Sequence, residues 1–395
     1  MERNYASRME NMRTSEIREI LKVTQRKELI SFAGGLPAPE LFPVEEMKIV
    51  SKKVLEESGS QALQYTTTEG FEPLRLQIAN RMNEKSGTKL GLEEIQIVSG
   101  SQQALDMTGK LFLDEDDVVV CEKPTYLGAI NAFKAYCCKF IEVESDEEGM
   151  DIIALEKILK SNGKIKLIYV IPDFQNPTGK SWSIERRKDF IEIVNKYEVP
   201  VIEDNPYGEV TFRNEIMPLL KAFDTKELVI TLGTFSKILC PGMRIGWIAA
   251  AKDIIQKYIL IKQSSDLHTS NISQREISKY MELYDLDEHI EIIKKVYKRR
   301  RDLAVETMKT EFPDFMRYTI PEGGLFTWVE GPETMDSGKV LKKCLENGVA
   351  FVPGHSFFPN GGGHNTFRLN YSNATDCQLV EGFKRLAKVL KEYDD

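Results

Sequence analysis

The sequence is poor in histidine and cysteine, the side chains that most often bind transition metals. Among its 395 residues are four histidines, and no two of them have the short spacing of a metal site. Six cysteines are scattered along the chain without a CxxC pair. The sequence therefore predicts no metal site, and the scattered cysteines indicate reduced thiols in a cytoplasm rather than a disulfide framework.

Long apolar runs and an excess of positive charge are also lacking. No segment approaches the roughly 18 apolar residues that a membrane-spanning helix needs, and the first residues, Met1 to Asn4, do not begin a secretion signal. The 53 basic residues are outnumbered by 61 acidic ones, which gives a net charge of −8. These features disfavour a nucleic-acid-binding surface and a membrane protein, and a cytoplasmic protein acting on small molecules is expected.

What the sequence does contain is an alternation of short apolar runs with helix-length segments. The runs are Ile95–Val98, Asp117–Cys121, Phe140–Val143, Lys166–Ile171, Val199–Glu203, Leu228–Leu232 and Ile245–Ala249. This alternation is typical of βα units, and it predicts an α/β domain with a mostly parallel seven-stranded sheet. Because the chain is too long for one core, a smaller α+β domain is expected too. We place an N-terminal arm at 1–45, the large domain at 46–285 and the small domain at 286–395.

Polar residues follow five of the predicted strands, where ligands of parallel sheets bind. These stretches are Ser99–Leu105, Pro124–Tyr126, Phe174–Gly179, Asp204–Tyr207 and Gly233–Lys237. The first is a Ser/Gly turn that opens a helix, and the free N–H groups of such a turn favour a phosphate. Gly179-Lys180-Ser181 resembles the end of a P-loop, but Phe174 stands where that motif needs a glycine. The strand ends therefore predict one ligand site without a P-loop.

Lys237 lies among small and hydroxylated residues just after an apolar run, and Arg244 follows seven positions later. A lysine amine becomes a nucleophile toward aldehydes when burial or a nearby cation lowers its pKa. Taken alone, the hexapeptide Leu232–Lys237 favours an exposed lysine, since most lysines lie at the surface. The rest of the chain favours a reactive lysine instead. Pyridoxal phosphate (PLP) needs a strand-end lysine, an aspartate, an asparagine, an aromatic residue, arginines and a phosphate-type helix start, and the sequence contains all of these.

With these residues in place, the sequence resembles the fold-type I aminotransferases of class I and II, in the branch of the 2-aminoadipate and kynurenine aminotransferases. The motifs that carry the resemblance are Phe32–Pro37, Gln64–Tyr65, Ser99–Ala104, Gln175–Gly179, Glu203–Tyr207, Phe235–Lys237 and Phe367–Leu369. The resemblance implies the aspartate-aminotransferase-like fold and a homodimer with shared active sites. It also implies transfer of the α-amino group of an amino acid to a 2-oxo acid such as 2-oxoglutarate.

The resemblance further implies a role for each matching residue. Lys237 would carry PLP as a Schiff base and shuttle the substrate proton, Asp204 would pair with the ring nitrogen, and Tyr126 would stack on the ring. The other implied cofactor contacts are Asn176 and Tyr207 to the ring oxygen, Ser101, Gln102, Thr234, Ser236 and Arg244 to the phosphate, and Tyr65 to the phosphate of the neighbouring subunit.

Substrate binding would fall to two arginines, with Asn176 and the Gly35 loop beside them. Arg368 would clamp the α-carboxylate, because the planar guanidinium can donate two parallel hydrogen bonds. Arg18, on a substrate-gating helix of the arm, would bind a distal carboxylate of the substrate. The alternative interpretation is that Arg18 is an exposed residue of a surface helix. Donors would then be 2-aminoadipate, glutamate, or aromatic and branched-chain amino acids.

Two other functions use the same fold. A PLP-dependent β-lyase or decarboxylase would share the lysine, the ring and the aspartate, and would differ only in the bond that is broken. A non-catalytic, PLP-sensing regulator would carry a DNA-binding domain ahead of this fold. Because the resemblance begins within the first ~30 residues, we expect the enzyme rather than the regulator.

Overall fold

The computed structural model describes residues 5–6, 8–11 and 29–392. Arg18 and the amphipathic helix predicted around it lie outside the described residues. The helices are α1 (Arg8–Asn11), α2 (Val44–Ala62), α3 (Glu72–Ser86), α4 (Ser101–Phe112), α5 (Leu127–Lys134), α6 (Ile152–Ser161), α7 (Ile184–Tyr197), α8 (Leu220–Phe223), α9 (Lys252–Ser265), α10 (Asn271–Leu283), α11 (Leu286–Glu311), α12 (Ser337–Glu346) and α13 (Asp376–Lys391).

The strands are β1 (Ile30–Ser31), β2 (Ile95–Val98), β3 (Val118–Lys123), β4 (Lys139–Glu144), β5 (Ile165–Val170), β6 (Val201–Asp204), β7 (Val229–Thr234), β8 (Gly246–Ala249), β9 (Arg317–Tyr318), β10 (Phe326–Glu330), β11 (Val349–Ala350), β12 (Val352–Pro353) and β13 (Thr366–Asn370).

A seven-stranded sheet in the order β2-β8-β7-β6-β5-β3-β4 forms the centre of the fold. The neighbouring pairs from β7 to β4 are parallel, whereas β8 runs antiparallel to both β2 and β7. The predicted α/β class with a mostly parallel seven-stranded sheet is confirmed. Each apolar run named in the sequence is a strand with ends shifted by at most two residues.

Burial explains why these runs form the sheet. Strands β2, β6, β7 and β8 are buried along their whole length, as expected of strands covered by helices on both faces. Side chains cap several of the covering helices. Asp151 accepts hydrogen bonds from two backbone N–H groups at the start of α6, and Ser183 accepts one at the start of α7. Such caps satisfy donors that a helix leaves free at its first turn.

A second sheet lies in the C-terminal part of the chain, in the order β12-β13-β10-β9, with antiparallel pairs. Strands β9 and β10 are antiparallel neighbours, and the connection between them contains Gly324 at a positive φ of 68°. Strand β1, from the N-terminal side, pairs in parallel with β11. This pairing holds the segment after β1 beside the second sheet.

No helix within 5–6, 8–11 and 29–392 is long and apolar enough to cross a membrane. The division into an arm, a large domain and a small domain at 45/46 and 285/286 stays a prediction.

Candidate active site

A cleft lies at the carboxyl ends of the parallel strands and encloses about 920 Å³ of space, part of it open to solvent. The predicted site residues that line it are Gly35, Ser101, Gln102, Tyr126, Asn176, Asp204, Tyr207, Thr234, Ser236, Lys237, Arg244 and Arg368. Residues that line it without having been predicted are Leu36, Gly100, Ile171 and Pro206. The topology thus brings together loops that are far apart in sequence.

Lys237 follows β7 and extends into this cleft. Its Nζ donates a hydrogen bond to the backbone oxygen of Gly35, at 2.8 Å. Burial lowers the pKa of the amine to about 8, and the charges of Arg368 and Arg244 act in the same direction. A substantial fraction of the amine is therefore neutral near pH 8, which is the form that attacks an aldehyde.

Asp204 is the last residue of β6 and is 2% exposed. Its Oδ2 accepts a hydrogen bond from the hydroxyl of Tyr169, at 2.8 Å. Among the described residues its Oδ1 has no hydrogen-bond partner, although the atom is buried. Burial raises the pKa of this carboxyl to about 7. A buried carboxylate oxygen without a partner can bind a cationic or N–H group of a ligand.

The start of α4 forms an anion-binding corner of the cleft. Gly100 precedes the helix with a φ of 77°, and no side chain within the described part of the chain caps the helix there. A Cβ at Gly100 would lie 2.5 Å from Nη2 of Arg244, so only glycine allows the guanidinium to approach this closely. The N–H groups of a helix start and a neighbouring cation favour a phosphate.

Two hydroxyl groups complete this corner. Thr234 ends β7, and its Oγ1 lies 2.9 Å from the Oγ of Ser236. The Thr234 hydroxyl also accepts the backbone N–H of Ser236, at 3.1 Å. Both residues are buried and line the same cleft as Arg244.

Arg368 enters the cleft from β13 of the second sheet and is 2% exposed. Its Nη1 donates to Oδ1 of Asn176 at 2.7 Å, and its Nη2 donates to the backbone oxygen of Ala33 at 2.6 Å. Its Nε is buried without a partner among the described residues. Burial lowers the pKa of the guanidinium to about 10, so it remains a cation at neutral pH.

Two aromatic rings flank this guanidinium. The Arg368 Cζ lies 4.1 Å from the ring centroid of Phe326 and 5.1 Å from that of Phe357. Phe326 also meets Tyr207 edge to face, with 5.9 Å between ring centroids. Cation–π contacts of this kind fix the plane of a guanidinium. The phenylalanines therefore orient Arg368 and connect it with the tyrosine on the opposite side.

Tyr126 and Tyr207 both present phenol groups to the cleft. Burial raises the pKa of both hydroxyls, so each remains a hydrogen-bond donor at neutral pH. Asn176 follows β5 and is bound to Arg368 through its side-chain oxygen.

Tyr65 does not line the cleft. Its side chain is 77% exposed and lies edge to face with His268, at 5.7 Å between ring centroids. The structure thus leaves this tyrosine at the surface, and Arg18 lies outside the described residues.

Sequence reasoning did not single out Tyr169, Phe326 or Phe357, although each contacts a predicted site residue. A hydroxyl within the buried run of β5 was the available signal for Tyr169, because a buried phenol usually has a hydrogen-bond partner. No local pattern marks the two phenylalanines, since any apolar strand or turn contains such residues.

The cleft thus combines four features: an amine that is neutral at mildly alkaline pH, a carboxylate oxygen to which no described residue donates, an anion-binding corner and a buried guanidinium. Such a set can bind a phosphorylated aromatic aldehyde with a ring nitrogen, and a second, carboxylate-bearing molecule beside it.

Comparison with known proteins agrees with this chemistry. The family model described as "Aminotransferase class I and II" matches residues 36–386. The aromatic-amino-acid aminotransferase 1 of Thermococcus litoralis is 45% identical, with 99% of this chain and 95% of the relative covered.

Two solved structures are also similar. Pyrococcus horikoshii kynurenine aminotransferase, solved in complex with PMP, has a TM-score of 0.95 at 42% identity and covers 99% of this chain and 98% of its own. The α-aminoadipate aminotransferase of Thermus thermophilus, complexed with N-(5'-phosphopyridoxyl)-L-leucine, has a TM-score of 0.92 at 39% identity, with 98% and 97% covered.

Proposed function

This chain belongs to the class I and II aminotransferases, and from that membership we propose which of its residues hold the cofactor and the substrate. It is a PLP-dependent enzyme that transfers the amino group of an amino acid to a 2-oxo acid. The observation that carries the proposal is the joint placement of the Lys237 amine, the unpartnered Asp204 oxygen and the Arg368 guanidinium in one cleft.

The residues present fit PLP. Asp204 offers a buried Oδ1 for the ring nitrogen, and a carboxylate there stabilises the protonated ring. Gly100 and Arg244 form a corner that suits the phosphate. The backbone N–H groups of Ser101 and Gln102 and the hydroxyls of Thr234 and Ser236 would complete the phosphate site. The Tyr207 hydroxyl and the Asn176 amide would bind the ring oxygen, and Tyr126 would stack on the ring.

When bound, PLP supplies an aldehyde that condenses with amines and a ring that withdraws electrons from the substrate Cα. Lys237 would act as the base that takes the proton from Cα, since burial and two cations favour its neutral form. Asp204 would hold the ring nitrogen in its protonated form, and Tyr126 would stack on the ring.

Arg368 binds the α-carboxylate of the substrate. Its Nε has no partner among the described residues, and its Nη2 donates to a backbone oxygen. A carboxylate can take the free Nε–H and replace the oxygen of Ala33 at Nη2, which gives two parallel hydrogen bonds. Asn176 stays on Nη1 and keeps the guanidinium in place, and Gly35 and Leu36 border the space for the side chain of the substrate.

For the donor we propose 2-aminoadipate, glutamate, and aromatic or branched-chain amino acids, with 2-oxoglutarate as acceptor. This choice of donors is supported by the similar proteins, which include aromatic-amino-acid, α-aminoadipate and kynurenine aminotransferases. Arg18 would discriminate between acidic and apolar donors, as a proposal from the sequence alone.

We also propose a homodimer and a cytoplasmic location. Tyr65 lies outside the cleft with an exposed ring, and Leu63 and Leu267 are exposed as well. The support for the dimer is the family resemblance, which implies that Tyr65 reaches the phosphate of the neighbouring subunit. The cytoplasmic location is supported by the cysteine pattern of the sequence.

The test is reduction of the purified holoenzyme with borohydride, followed by peptide mapping. The expected label is on Lys237, and a label on any other lysine would refute the assignment. A panel of amino acids in single-turnover absorbance assays then identifies the donor. Full conversion without release of ammonia, carbon dioxide or a side-chain fragment separates amino transfer from a lyase or a decarboxylase.

A further inference from the structure

Tyr169 lies directly beneath the floor of the cleft. It belongs to β5, and its register partner on β6 is Ile202. Asp204, two residues further along β6, therefore projects from the same face of the sheet as Ile202 and lies diagonally across from Tyr169. The tyrosine is 1% exposed, and its hydroxyl donates to Asp204 Oδ2 at 2.8 Å.

This hydrogen bond acts on a carboxylate that has little else to stabilise it. Burial raises the pKa of Asp204, and the Tyr169 hydroxyl is the group that opposes this effect by donating to the anion. The other oxygen, Oδ1, has no partner within the described part of the chain. Oδ2 is thus held by the Tyr169 hydroxyl, whereas Oδ1 is available to a ligand in the cleft.

The titratable and charged groups that face this carboxylate or share its cleft are Tyr169 from β5, Tyr126 after β3, Tyr207 after β6, Lys237 after β7, Arg244 before β8 and Arg368 from β13. Of these, Tyr169 makes a direct hydrogen bond to Asp204.

We propose that Tyr169 is a positioning residue that holds Asp204 by Oδ2, keeps it in its anionic form and so leaves Oδ1 free to bind the protonated ring nitrogen of the cofactor. The proposal rests on the assignment of Asp204 made under the proposed function. Without the hydroxyl, the carboxylate loses both its fixed orientation and the one hydrogen-bond donor that the described residues supply to it. The proton between Asp204 and the ring nitrogen then shifts toward the carboxyl group.

The substitution Tyr169→Phe removes the hydroxyl and keeps the ring. The ring packs edge to face on Phe133, at 5.8 Å between centroids, and a phenylalanine retains that contact. Tyr258→Phe is the matched control. Tyr258 is fully buried on α9, its hydroxyl lies 2.7 Å from the Oγ1 of Thr108, and it does not line the cleft.

Two measurements test the proposal besides activity. The first is the PLP dissociation constant of the apoprotein, from quenching of its fluorescence. We expect Tyr169→Phe to weaken binding about tenfold or more, as loss of a hydrogen bond to a charged group does. The second is nitrogen NMR of PLP labelled at the ring nitrogen. In Tyr169→Phe the resonance is expected to move toward that of the unprotonated ring, and in Tyr258→Phe to stay in place.

Incorporation of a fluorinated tyrosine at position 169 gives a variant with an intact side-chain shape. Because fluorine makes the phenol a stronger donor, the ring-nitrogen resonance should move in the opposite direction, toward the fully protonated ring. Equal behaviour of Tyr169→Phe and Tyr258→Phe in both measurements would overturn the proposal.

The variant Asp204→Asn separates this proposal from the one on which it rests. If Asp204→Asn changes both readouts and Tyr169→Phe changes neither, the role of Tyr169 is refuted and that of Asp204 stands. If Asp204→Asn changes neither, both assignments fail. The double variant provides a further check. Adding Tyr169→Phe to Asp204→Asn should weaken PLP binding less than Tyr169→Phe weakens it in the wild-type protein, because the carboxylate anion that accepts the Tyr169 hydrogen bond is then absent.

Discussion

Replacement of Arg368 by lysine tests how the substrate carboxylate is bound. The change keeps a positive charge at the same position. It removes the planar fork that donates to Asn176 and Ala33, and the flat surface that lies on Phe326 and Phe357. An ammonium group can supply one hydrogen bond to a carboxylate but cannot supply two parallel ones.

The magnitude follows from the hydrogen bond that is lost. A hydrogen bond between charged groups contributes about 1.5–3 kcal/mol, which corresponds to about a 10- to 150-fold change in rate constant. We therefore expect Arg368→Lys to lower kcat/KM for leucine by about that factor. The loss should appear for every amino-acid donor, because each carries the same α-carboxylate.

The assay compares leucine with the amine that has the same side chain and no carboxylate, each in single-turnover conversion of the bound cofactor. Wild-type enzyme should prefer the amino acid strongly, and Arg368→Lys should lose that preference while its slow rate with the amine changes little. Arg300→Lys is the control. Arg300 is a buried arginine of α11 that donates to the backbone oxygen of Ser372 and lies outside the cleft lining.

An equal loss for the amino acid and the amine would refute the reasoning. It would mean that Arg368 supports the cofactor or the fold and does not bind the carboxylate. The same conclusion would follow if Arg300→Lys reduced the preference as much as Arg368→Lys.

Three further predictions concern the cofactor and the donor. Because the pKa of Lys237 is lowered to about 8, the rate at which apoprotein binds PLP, measured by stopped-flow absorbance, should rise with pH and level off above about pH 8. A rate that keeps rising up to the ordinary lysine pKa of 10.5 would contradict this. Gly100→Ala places a Cβ against Arg244 at a φ of 77° and a ψ of 162°, a combination that is nearly confined to glycine and costs other residues about 1–3 kcal/mol. It should weaken PLP binding about tenfold, whereas Gly59→Ala, with open space around it, should not. Arg18→Ala should lower kcat/KM for glutamate or 2-aminoadipate by about ten- to a hundredfold and spare leucine; an equal loss for both donors would make Arg18 a structural residue.

Local patterns were enough to predict the strands of the central sheet and most of the cleft. Apolar runs mark buried strands, and in a parallel sheet the residue after each run must reach the same edge. For this reason Asp204, Asn176 and Lys237 could be placed together before their distances were known. The direction of β8 could not be predicted. A run of four apolar residues has the same pattern whether the strand is parallel or antiparallel, and pairing with the neighbouring strands determines which of the two it adopts.

The contacts that orient the site depend on register and on pairing across long stretches of chain. Tyr169 is bound to Asp204 because two strands align with a particular offset, and no sequence pattern gives that offset. Phe326 reaches Arg368 because β10 pairs with β13 inside the second sheet, and Phe357 reaches it because the turn after β12, the other neighbour of β13, ends at this residue. The pairing of β1 with β11 is equally invisible locally, since more than 300 residues separate the two strands.

The segment after β1 is tied to two of the three basic side chains of the cleft: the oxygen of Ala33 accepts from Arg368, and the oxygen of Gly35 accepts from Lys237. The main chain here therefore competes with any ligand that uses either group. By thermodynamic linkage the competition is reciprocal, so that a ligand which takes one cation loosens the segment, and a change that stiffens the segment weakens the ligand. Backbone chemistry at Ala33 and Gly35, which no side-chain substitution removes, thus sets part of the free energy of substrate binding.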